Sequence, residues 1–269
     1  MSTLLGFDSL PGEIRAQLDA VTRLWRDRLG PELTGVYLHG SIALNAFNPA
    51  SGDLDLLAVV ERPLTVEEKL ALAEGIIRLD GKPRPVEMSA VTLADARNWK
   101  NPGSCVFHYS DYWTERYLRR LADPAQPLYV VDREFPDADV TGYIRLLKER
   151  GIVLYGRPAA EVFADVPDED FFASISADVE DYDFHAYEPR YLASNILILG
   201  RILSFRAEKR ILSKYEAGLW MIAHMPEDLK YLPEGAMRIW FEGGEAELPE
   251  EDLERLRRCL IGEILKQEE

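Results

Sequence analysis

The sequence predicts an α+β fold, with a small mixed sheet and flanking helices in its N-terminal part and an α-helical bundle in its C-terminal part. Short apolar segments that are typical of strands alternate with amphipathic helical segments as far as residue 156. Beyond residue 158 the patterned segments all have helical spacing. The tripeptide Gly156-Arg157-Pro158 interrupts the chain between the two parts. We therefore place the domains at 1–156 and 157–269.

An amphipathic helix and the first strand begin the N-terminal part. The segment 11–29 has apolar residues at helical spacing, and Gly30-Pro31 ends it. The apolar positions on this helical face are Ile14, Leu18, Val21 and Trp25. The apolar segment 35–38 predicts a strand, and it leads through the turn 39–41 into a short helix at 42–47.

Further strands and one clearly capped helix follow. The segment 53–60 starts with alternating polar and apolar residues and continues as an apolar run, which predicts a strand buried over most of its length. Thr65-Val66-Glu67-Glu68 has the spacing of a capping box and predicts a helix to about residue 79. The segment 85–91 predicts another strand, and 129–131 predicts one more.

The C-terminal part is predicted to be helical throughout. Its four predicted helices cover residues 168–181, 190–205, 214–224 and 250–266. In the second of them, one apolar stripe supplies a core for the bundle and consists of Leu192, Ile196, Leu199 and Leu203.

Composition limits the class of function. The 269 residues include 31 Lys plus Arg against 47 Asp plus Glu, which gives a net charge of −16. Such a surface repels phosphate backbones, so we expect no nucleic-acid partner and favour cationic or metal-bridged ligands. Cys105 and Cys259 lie far apart and form no metal-binding or disulfide pattern. The sequence has no signal-peptide pattern and no apolar run that could span a membrane, so we expect a cytoplasmic protein.

Three carboxylates and a Gly-Ser turn are the candidate chemistry. Asp53 and Asp55 lie two residues apart on a predicted strand, so both side chains point to one face and can share Mg²⁺. Gly40-Ser41 joins a strand to a short helix, where backbone amides and a hydroxyl can contact phosphate oxygens. Glu87 on the next strand adds a third carboxylate. Each signal alone also fits an ordinary turn or a solvated strand end, and only their order and spacing point to a nucleotide site.

With Leu38-His39-Gly40-Ser41 followed by the segment Asn48 to Leu57, the sequence resembles the DNA polymerase β-like nucleotidyltransferase superfamily. Within it, the chain is most similar to the aminoglycoside (streptomycin/spectinomycin) adenylyltransferases, which have a helical C-terminal domain. The segments Tyr191–Leu203 and Ile211–Trp220, followed by Met225-Pro226, resemble that second domain. The resemblance covers most of the chain. It implies an N-terminal nucleotidyltransferase domain and a C-terminal domain that closes over the nucleotide.

The resemblance also implies roles for individual residues. Asp53 and Asp55 match the metal-binding aspartates, and Glu87 matches the carboxylate that acts as general base. Glu87 lies beside the metals, and we count it with the two aspartates as a residue of the metal site. Gly40 and Ser41 match the turn that contacts the phosphates. Arg201 and Lys214 match basic positions of the second domain that reach the nucleotide. Two Mg²⁺ ions and ATP as co-substrate are therefore expected.

For the antibiotic, the resemblance implies an acceptor site that includes Trp113, Asp183 and Tyr187. Streptomycin-modifying members have a tryptophan and an aspartate just before the long helix. The stretch Tyr182–Glu188 has no tryptophan, so streptomycin is the less expected acceptor and spectinomycin stays open. Acidic side chains around this stretch would attract a cationic drug.

The expected function is Mg²⁺-dependent transfer of AMP from ATP to a hydroxyl of a spectinomycin- or streptomycin-type antibiotic, which confers resistance. Three alternatives stay open: adenylylation of another small-molecule or protein hydroxyl, nucleotide binding without turnover, and a glycosyltransferase that uses the Asp-x-Asp pair. Retention of three clustered carboxylates disfavours the second, and the Gly-Ser turn before the aspartates disfavours the third. We expect a monomer, because the second domain already closes the nucleotide site.

Overall fold

The computed structural model describes residues 4–177, 179 and 188–265 of the chain. These residues divide into two compact units, of which one is Leu5–Ser174 and the other contains Leu4, Ile175 and the described residues after Ile175. Among the helices of the described residues, none has the length and apolar character that crossing a bilayer requires.

Seven strands and nine helices lie in or begin in the first unit. The strands are β1 (Leu33–Leu38), β2 (Leu54–Val60), β3 (Val86–Thr92), β4 (Gly103–Cys105), β5 (Phe107–Tyr109), β6 (Phe135–Asp137) and β7 (Ile152–Gly156). The helices are α1 (Gly12–Leu29), α2 (Gly40–Ala43), α3 (Val66–Leu79), α4 (Leu93–Arg97), α5 (Thr114–Ala122), α6 (Tyr129–Asp132), α7 (Asp139–Arg150), α8 (Ala159–Val162) and α9 (Asp168–Ile175).

The central sheet is small and mixed, as predicted. Its strand order is β5-β3-β2-β1-β7. β2 and β3 run parallel, and the other neighbours in the sheet are antiparallel. β4 and β6 form a separate antiparallel pair. β2 and β3 are buried at every position except the second residue of each, which is partly buried. These two residues, Asp55 and Glu87, mark one place on the sheet.

The two faces of this sheet have different roles. α1 packs on the first face, where the Trp25 and Phe107 rings meet edge to face at 5.3 Å. Phe107 pairs with Ala90 on β3, one position out of phase with Ser89 and Glu87. Glu87 therefore points to the opposite face, where Tyr143 of α7 contacts it. The helical core lies on one side and the polar cluster on the other.

Most predicted elements of this unit are confirmed with small changes at their ends. The strands predicted at 35–38, 53–60 and 85–91 correspond to β1, β2 and β3, and the first helix corresponds to α1. The capping box at α3 is present, because the Thr65 hydroxyl accepts from the Glu68 amide and the Glu68 carboxylate accepts from the Thr65 amide. The short helix predicted at 42–47 instead covers Gly40–Ala43.

The strand predicted at 129–131 is wrong, because Tyr129–Asp132 forms the short helix α6. Asp132 accepts a hydrogen bond from the Leu128 amide at 2.7 Å, which closes the turn at its start. The buried Lys69 then donates to the carbonyl of Arg133 at 3.0 Å. These hydrogen bonds satisfy backbone polar groups that, in a strand, would pair with a neighbouring strand.

The first unit ends later than the boundary predicted at 156/157. β7 pairs with β1, and the residues after it stay with the same unit. Trp99 donates to the carbonyl of Asp165 at 3.1 Å, and Ala164 donates its amide to the carbonyl of Ala96 at 3.0 Å. Because these bonds attach the segment 157–174 to α4, the division falls after Ser174.

The second unit is helical, as predicted. Its helices are α10 (Pro189–Glu208), α11 (Lys214–His224), α12 (Tyr231–Met237) and α13 (Glu250–Leu265), with a π-helical turn at Arg238–Glu242. α10, α11 and α13 confirm three predicted helices, whereas α12 is absent from the prediction. Gly200 lets α10 and α11 approach closely, because a Cβ there would lie 2.5 Å from the sulfur of Met221. The helix predicted at 168–181 ends at Ile175, and residues 178, 180 and 181 of the predicted range lie outside the described residues.

Candidate active site

Three carboxylates lie together at the start of two parallel strands. Asp55 on β2 and Glu87 on β3 are direct neighbours across the ladder, and Asp53 precedes Asp55 by two residues on the same side. One ligand oxygen from each side chain lies within 4.8 Å of the other two. The geometry therefore brings together all three residues of the predicted metal site.

The electrostatics of this cluster suit a cation. Burial, together with the charges of Asp55 and Asp53, raises the pKa of Glu87 to about 8. The three side chains offer only hard oxygen donors, which suit Mg²⁺. A divalent cation among them would offset their mutual repulsion and favour the ionised form of Glu87. The donor set thus fits the metal that the sequence predicts.

Gly40 lies directly against this cluster. Its φ of +62° is in the left-handed region, and a Cβ at this position would lie 1.7 Å from Oδ2 of Asp55. The amide of His39 donates to the backbone carbonyl of Asp55 at 2.9 Å. Only glycine therefore allows the turn between β1 and α2 to lie on the carboxylate.

Ser41 has a buried hydroxyl for which the described residues provide no hydrogen-bond partner. Buried hydroxyls in proteins are normally hydrogen-bonded, so an orphaned one calls for a ligand. Its position beside Gly40, next to the carboxylates, agrees with the predicted contact to a phosphate oxygen. The turn that is predicted to contact the phosphates therefore has an unused donor, and the contact itself stays a prediction.

The turn that precedes Asp53 is fixed by Arg84, a residue that sequence reasoning does not single out. The guanidinium of Arg84 donates to the carbonyls of Gly52 at 2.5 Å and Ala50 at 3.0 Å. The Arg84 amide in turn donates to the side-chain oxygen of Gln17 on α1 at 3.0 Å. These bonds tie the loop that carries Asp53 to the helical core.

Two aromatic side chains, His39 and Tyr143, lie beside the carboxylates, and sequence reasoning assigns neither a role. Their rings lie 4.5 Å apart between centroids, tilted by 33°. Burial lowers the pKa of His39 to about 4, so its ring is neutral at physiological pH. The Tyr143 hydroxyl donates to Oε1 of Glu87 at 3.3 Å. Burial and the charge of Glu87 hold the pKa of Tyr143 well above its usual range, so the phenol stays a donor.

The sequence predicts the helix that carries Tyr143 but not the contact that Tyr143 makes. The residues Val140, Ile144 and Leu147 have helical spacing and predict α7. That spacing does not reveal that Tyr143 on this helix meets Glu87, which is far away in sequence.

Trp113 lies in an aromatic cluster at the edge of the same sheet. Its ring packs edge to face on Tyr129 at 5.4 Å, and it lies 6.5 Å from the ring of His108. His108 is hydrogen-bonded through Nδ1 to the hydroxyl of Ser89 at 2.9 Å, and Ser89 follows Glu87 by two residues on β3. A row of polar side chains therefore connects Glu87 to the neighbourhood of Trp113.

The two predicted phosphate-binding cations belong to the helical unit. Arg201 on α10 donates through Nε to the carbonyl of Leu212 at 3.0 Å. Lys214 at the start of α11 donates to the hydroxyl of Ser194 at 2.9 Å, and its ammonium lies 4.0 Å from the centroid of the Trp240 ring. Both side chains are thus held in defined positions within their own unit.

Two predicted acceptor-site residues, Asp183 and Tyr187, lie outside the described residues. Their predicted role stays a prediction.

Family models match both parts of the chain. The family described as "Nucleotidyltransferase domain" matches residues 14–112, which include the three carboxylates and the Gly-Ser turn. The family described as "Aminoglycoside adenylyltransferase, C-terminal domain" matches residues 161–263.

Curated relatives agree with these matches along almost the whole chain. The chain is 25% identical to an aminoglycoside (3'') (9) adenylyltransferase from Shigella flexneri, with 96% of this chain and 98% of the relative aligned. It is 24% identical to a spectinomycin 9-adenylyltransferase from Staphylococcus aureus, with 81% of each aligned.

A solved structure has the same fold. The spectinomycin adenyltransferase from Enterococcus faecalis, crystallised with ATP and spectinomycin, superposes with a TM-score of 0.79. The two chains are 23% identical, and the match covers 94% of this chain and 99% of the other.

Proposed function

Because this chain belongs to the aminoglycoside (streptomycin/spectinomycin) adenylyltransferase family, we propose that it transfers AMP from ATP to a hydroxyl group of an aminoglycoside-type antibiotic. The observation that carries this proposal is the cluster of Asp53, Asp55 and Glu87 beside the Gly40-Ser41 turn. The relatives are named for transfer to spectinomycin and to aminoglycosides, and these are the acceptors we expect here.

Metal binding is assigned to the three carboxylates. Asp53 and Asp55 hold the metal, and Glu87 lies close enough to share it. When bound, two Mg²⁺ ions supply charge that stabilises the triphosphate and the departing pyrophosphate. The Ser41 hydroxyl has no partner among the described residues and is available to donate to a phosphate oxygen.

The transfer step is a displacement at the α-phosphorus of ATP. The acceptor hydroxyl oxygen forms a bond to this phosphorus while the bond to the β-phosphate bridging oxygen breaks, and pyrophosphate leaves with that electron pair. Glu87 takes the proton of the hydroxyl as the bond forms. A cation bound beside Glu87 would favour its ionised form, which is the form that accepts a proton. The products are the AMP ester of the antibiotic and pyrophosphate.

Residues outside the carboxylate cluster have roles that follow from the family resemblance. Arg201 and Lys214 bind the triphosphate, and Trp113, Asp183 and Tyr187 contact the antibiotic. The net charge of −16 favours a cationic acceptor over an anionic one. A monomeric state and a cytoplasmic location stay predictions from the sequence.

Intact-mass analysis tests the proposal. Purified protein is incubated with ATP and Mg²⁺ and with spectinomycin, streptomycin or a panel of aminoglycosides. A mass gain of one AMP on a drug, absent with the variant Asp53→Ala, is the expected result. A protein that binds Mg-ATP but modifies no drug would contradict an antibiotic acceptor and favour another hydroxyl compound or a protein.

A further inference from the structure

We propose that Tyr143 is a positioning residue for Glu87 and fixes the orientation of the carboxylate that accepts the proton of the acceptor hydroxyl. This inference rests on the proposed function, because it assigns Tyr143 a part in the same transfer. It concerns a residue on α7, outside the strands and the turn that carry the recognised site.

The first support is the direct contact. The Tyr143 hydroxyl donates to Oε1 of Glu87 at 3.3 Å. A Glu side chain has three rotatable bonds, and a donor on one carboxylate oxygen limits its rotation. The second oxygen is then presented in a defined direction. Because this hydrogen bond is long, its effect depends on how firmly the phenol ring itself is held.

Helix α7 is held firmly on both sides of Tyr143. The amide of Gly142, the preceding residue, donates to the hydroxyl of Ser174 at 2.9 Å, and that hydroxyl donates to the carbonyl of Ala138 at 2.6 Å. The hydroxyl of Thr141 donates to the carbonyl of Lys100 at 3.1 Å. The apolar side chains of Val140, Ile144 and Leu147 are almost fully buried beneath the helix. These contacts fix the backbone from which the Tyr143 ring projects.

The ring is held from its other side by His39. The imidazole and the phenol lie 4.5 Å apart between centroids, with their planes tilted by 33°. His39 is 5% exposed and directly precedes the Gly40-Ser41 turn. Its amide donates to the backbone of Asp55. Tyr143 therefore connects the turn assigned to the phosphates with the carboxylate assigned to the proton.

This connection has a chemical consequence. A general base works only when its oxygen lies within hydrogen-bond reach of the proton, and small misplacements lower the rate strongly. Nucleotide binding depends on the turn and on Asp53 and Asp55, whereas the hydroxyl of Tyr143 donates to Glu87. Loss of the hydroxyl should therefore slow the chemical step and leave nucleotide binding unchanged.

The variant Tyr143→Phe tests this, because it removes one oxygen and keeps the ring on His39. Tyr109→Phe is the matched control, since the Tyr109 hydroxyl also donates to a carboxylate, that of Asp80 at 3.0 Å, on the opposite face of the sheet. Steady-state kinetics give kcat and KM, and calorimetry gives the Kd of Mg-ATP.

We expect Tyr143→Phe to lower kcat by about tenfold or more, with the KM for ATP and the Kd of Mg-ATP changed by less than about twofold. Tyr109→Phe should change kcat by less than about twofold. An equal loss of kcat in both variants would overturn the inference, and so would a loss of kcat that is matched by a loss of Mg-ATP affinity.

A double variant tests whether Tyr143 acts through Glu87. Glu87→Asp shortens the side chain by one methylene and takes the carboxylate out of reach of the phenol. The double variant with Glu87→Asp and Tyr143→Phe should then have the same kcat as Glu87→Asp alone. A further drop in kcat in the double variant would mean that Tyr143 acts independently of Glu87.

The two proposals fail in different ways. If the wild type adenylylates no acceptor, the proposed function fails. If the wild type forms product and Tyr143→Phe forms it at the rate of Tyr109→Phe, the proposed function stands and the role of Tyr143 fails.

Discussion

Glu87 and the two aspartates occupy one cluster, yet their environments differ. Asp53 is exposed, whereas Glu87 is largely buried and has a pKa raised to about 8 by burial and by the neighbouring charges. The exposed Asp53 suits a metal that exchanges with solvent. The buried carboxylate of Glu87 suits proton transfer, because a cation bound at the cluster would keep it ionised and able to accept a proton.

This difference predicts different effects of substitution. Glu87→Gln keeps the size of the side chain and removes the base, so transfer should be lost while the Kd of Mg-ATP stays close to that of the wild type. Asp55→Ala removes a metal ligand, so it should abolish transfer and weaken Mg-ATP binding as well. Calorimetry with Mg-ATP distinguishes the two. Loss of Mg-ATP binding in Glu87→Gln would make Glu87 a third metal ligand instead of a base.

Gly40 provides a second prediction at the residue scale. Gly40→Ala places a Cβ at a φ of +62° and against the carboxylate of Asp55, so Asp55 has to move. The left-handed backbone alone costs about 1–2 kcal/mol. We expect Gly40→Ala to lose this much stability in urea denaturation. We also expect it to bind Mn²⁺ more weakly than the wild type, as measured by electron paramagnetic resonance.

Gly81→Ala is the control for this variant. Gly81 also has a positive φ, of +68°, but no atom lies near the position of its Cβ. It should lose stability in urea denaturation without a change in metal affinity. Equal metal affinities in both variants would show that the contact between Gly40 and Asp55 is unimportant.

Helix α3 shows what local sequence signals determine at the scale of an element. Its start is fixed by the reciprocal bonds of Thr65 and Glu68, and Arg62 also pairs with the Glu68 carboxylate. These contacts use residues within a few positions of each other, and for that reason the sequence predicts them. Helix α6 differs, because it combines a local bond, from the Leu128 amide to Asp132, with a contact from the distant Lys69. Lys69 donates to the carbonyl of Arg133, just after the helix.

The capping box at α3 gives a prediction for this scale. Thr65→Ala leaves the Glu68 amide without its partner and should lower the free energy of unfolding by about 1 kcal/mol. Thr65→Ser keeps the hydroxyl and should stay close to the wild type. Urea denaturation measures both, and kcat for transfer should be unchanged in both. A Thr65→Ser variant as unstable as Thr65→Ala would show that packing of the methyl group matters more than the cap.

At the scale of the whole molecule, the carboxylate cluster links stability to pH and to metal. In the absence of metal, the pKa of Glu87 is higher in the folded chain than in the unfolded chain. Between about pH 4.5 and 8 the folded chain therefore binds more protons than the unfolded chain. The contribution of Glu87 to stability is present at low pH and is lost as the pH rises through that range. The pKa of His39 is lower in the folded chain, so the contribution of His39 to stability increases as the pH rises.

Comparison of the wild type with Glu87→Gln isolates the Glu87 contribution, because His39 is present in both. With a chelator present, the melting temperature of the wild type relative to the variant should fall as pH rises from about 5 to 8. Mg²⁺ should raise the wild-type melting temperature more at pH 8 than at pH 5, since it binds the ionised carboxylates. If the difference in melting temperature between the wild type and Glu87→Gln does not change with pH, the raised pKa of Glu87 is contradicted.

Some features of this protein follow from the sequence by itself. The alternation and apolar runs predict β1, β2 and β3, and helical spacing predicts α1, α3, α10 and α11. The Asp-x-Asp spacing and the Gly-Ser turn locate the site, because residues two apart on a strand must share a face. These signals are local, since they depend on residues that are neighbours in the chain.

Other features were decided only by the tertiary structure. Asp55 and Glu87 are neighbours because of the parallel register of two strands. Tyr143 contacts Glu87 because of the position in which α7 packs. The first unit extends to Ser174 because of bonds between segments far apart in sequence. Pairing, packing and burial act between distant residues, so periodicity cannot encode them, and the base, its positioning residue and their pKa values emerge only when the chain is folded.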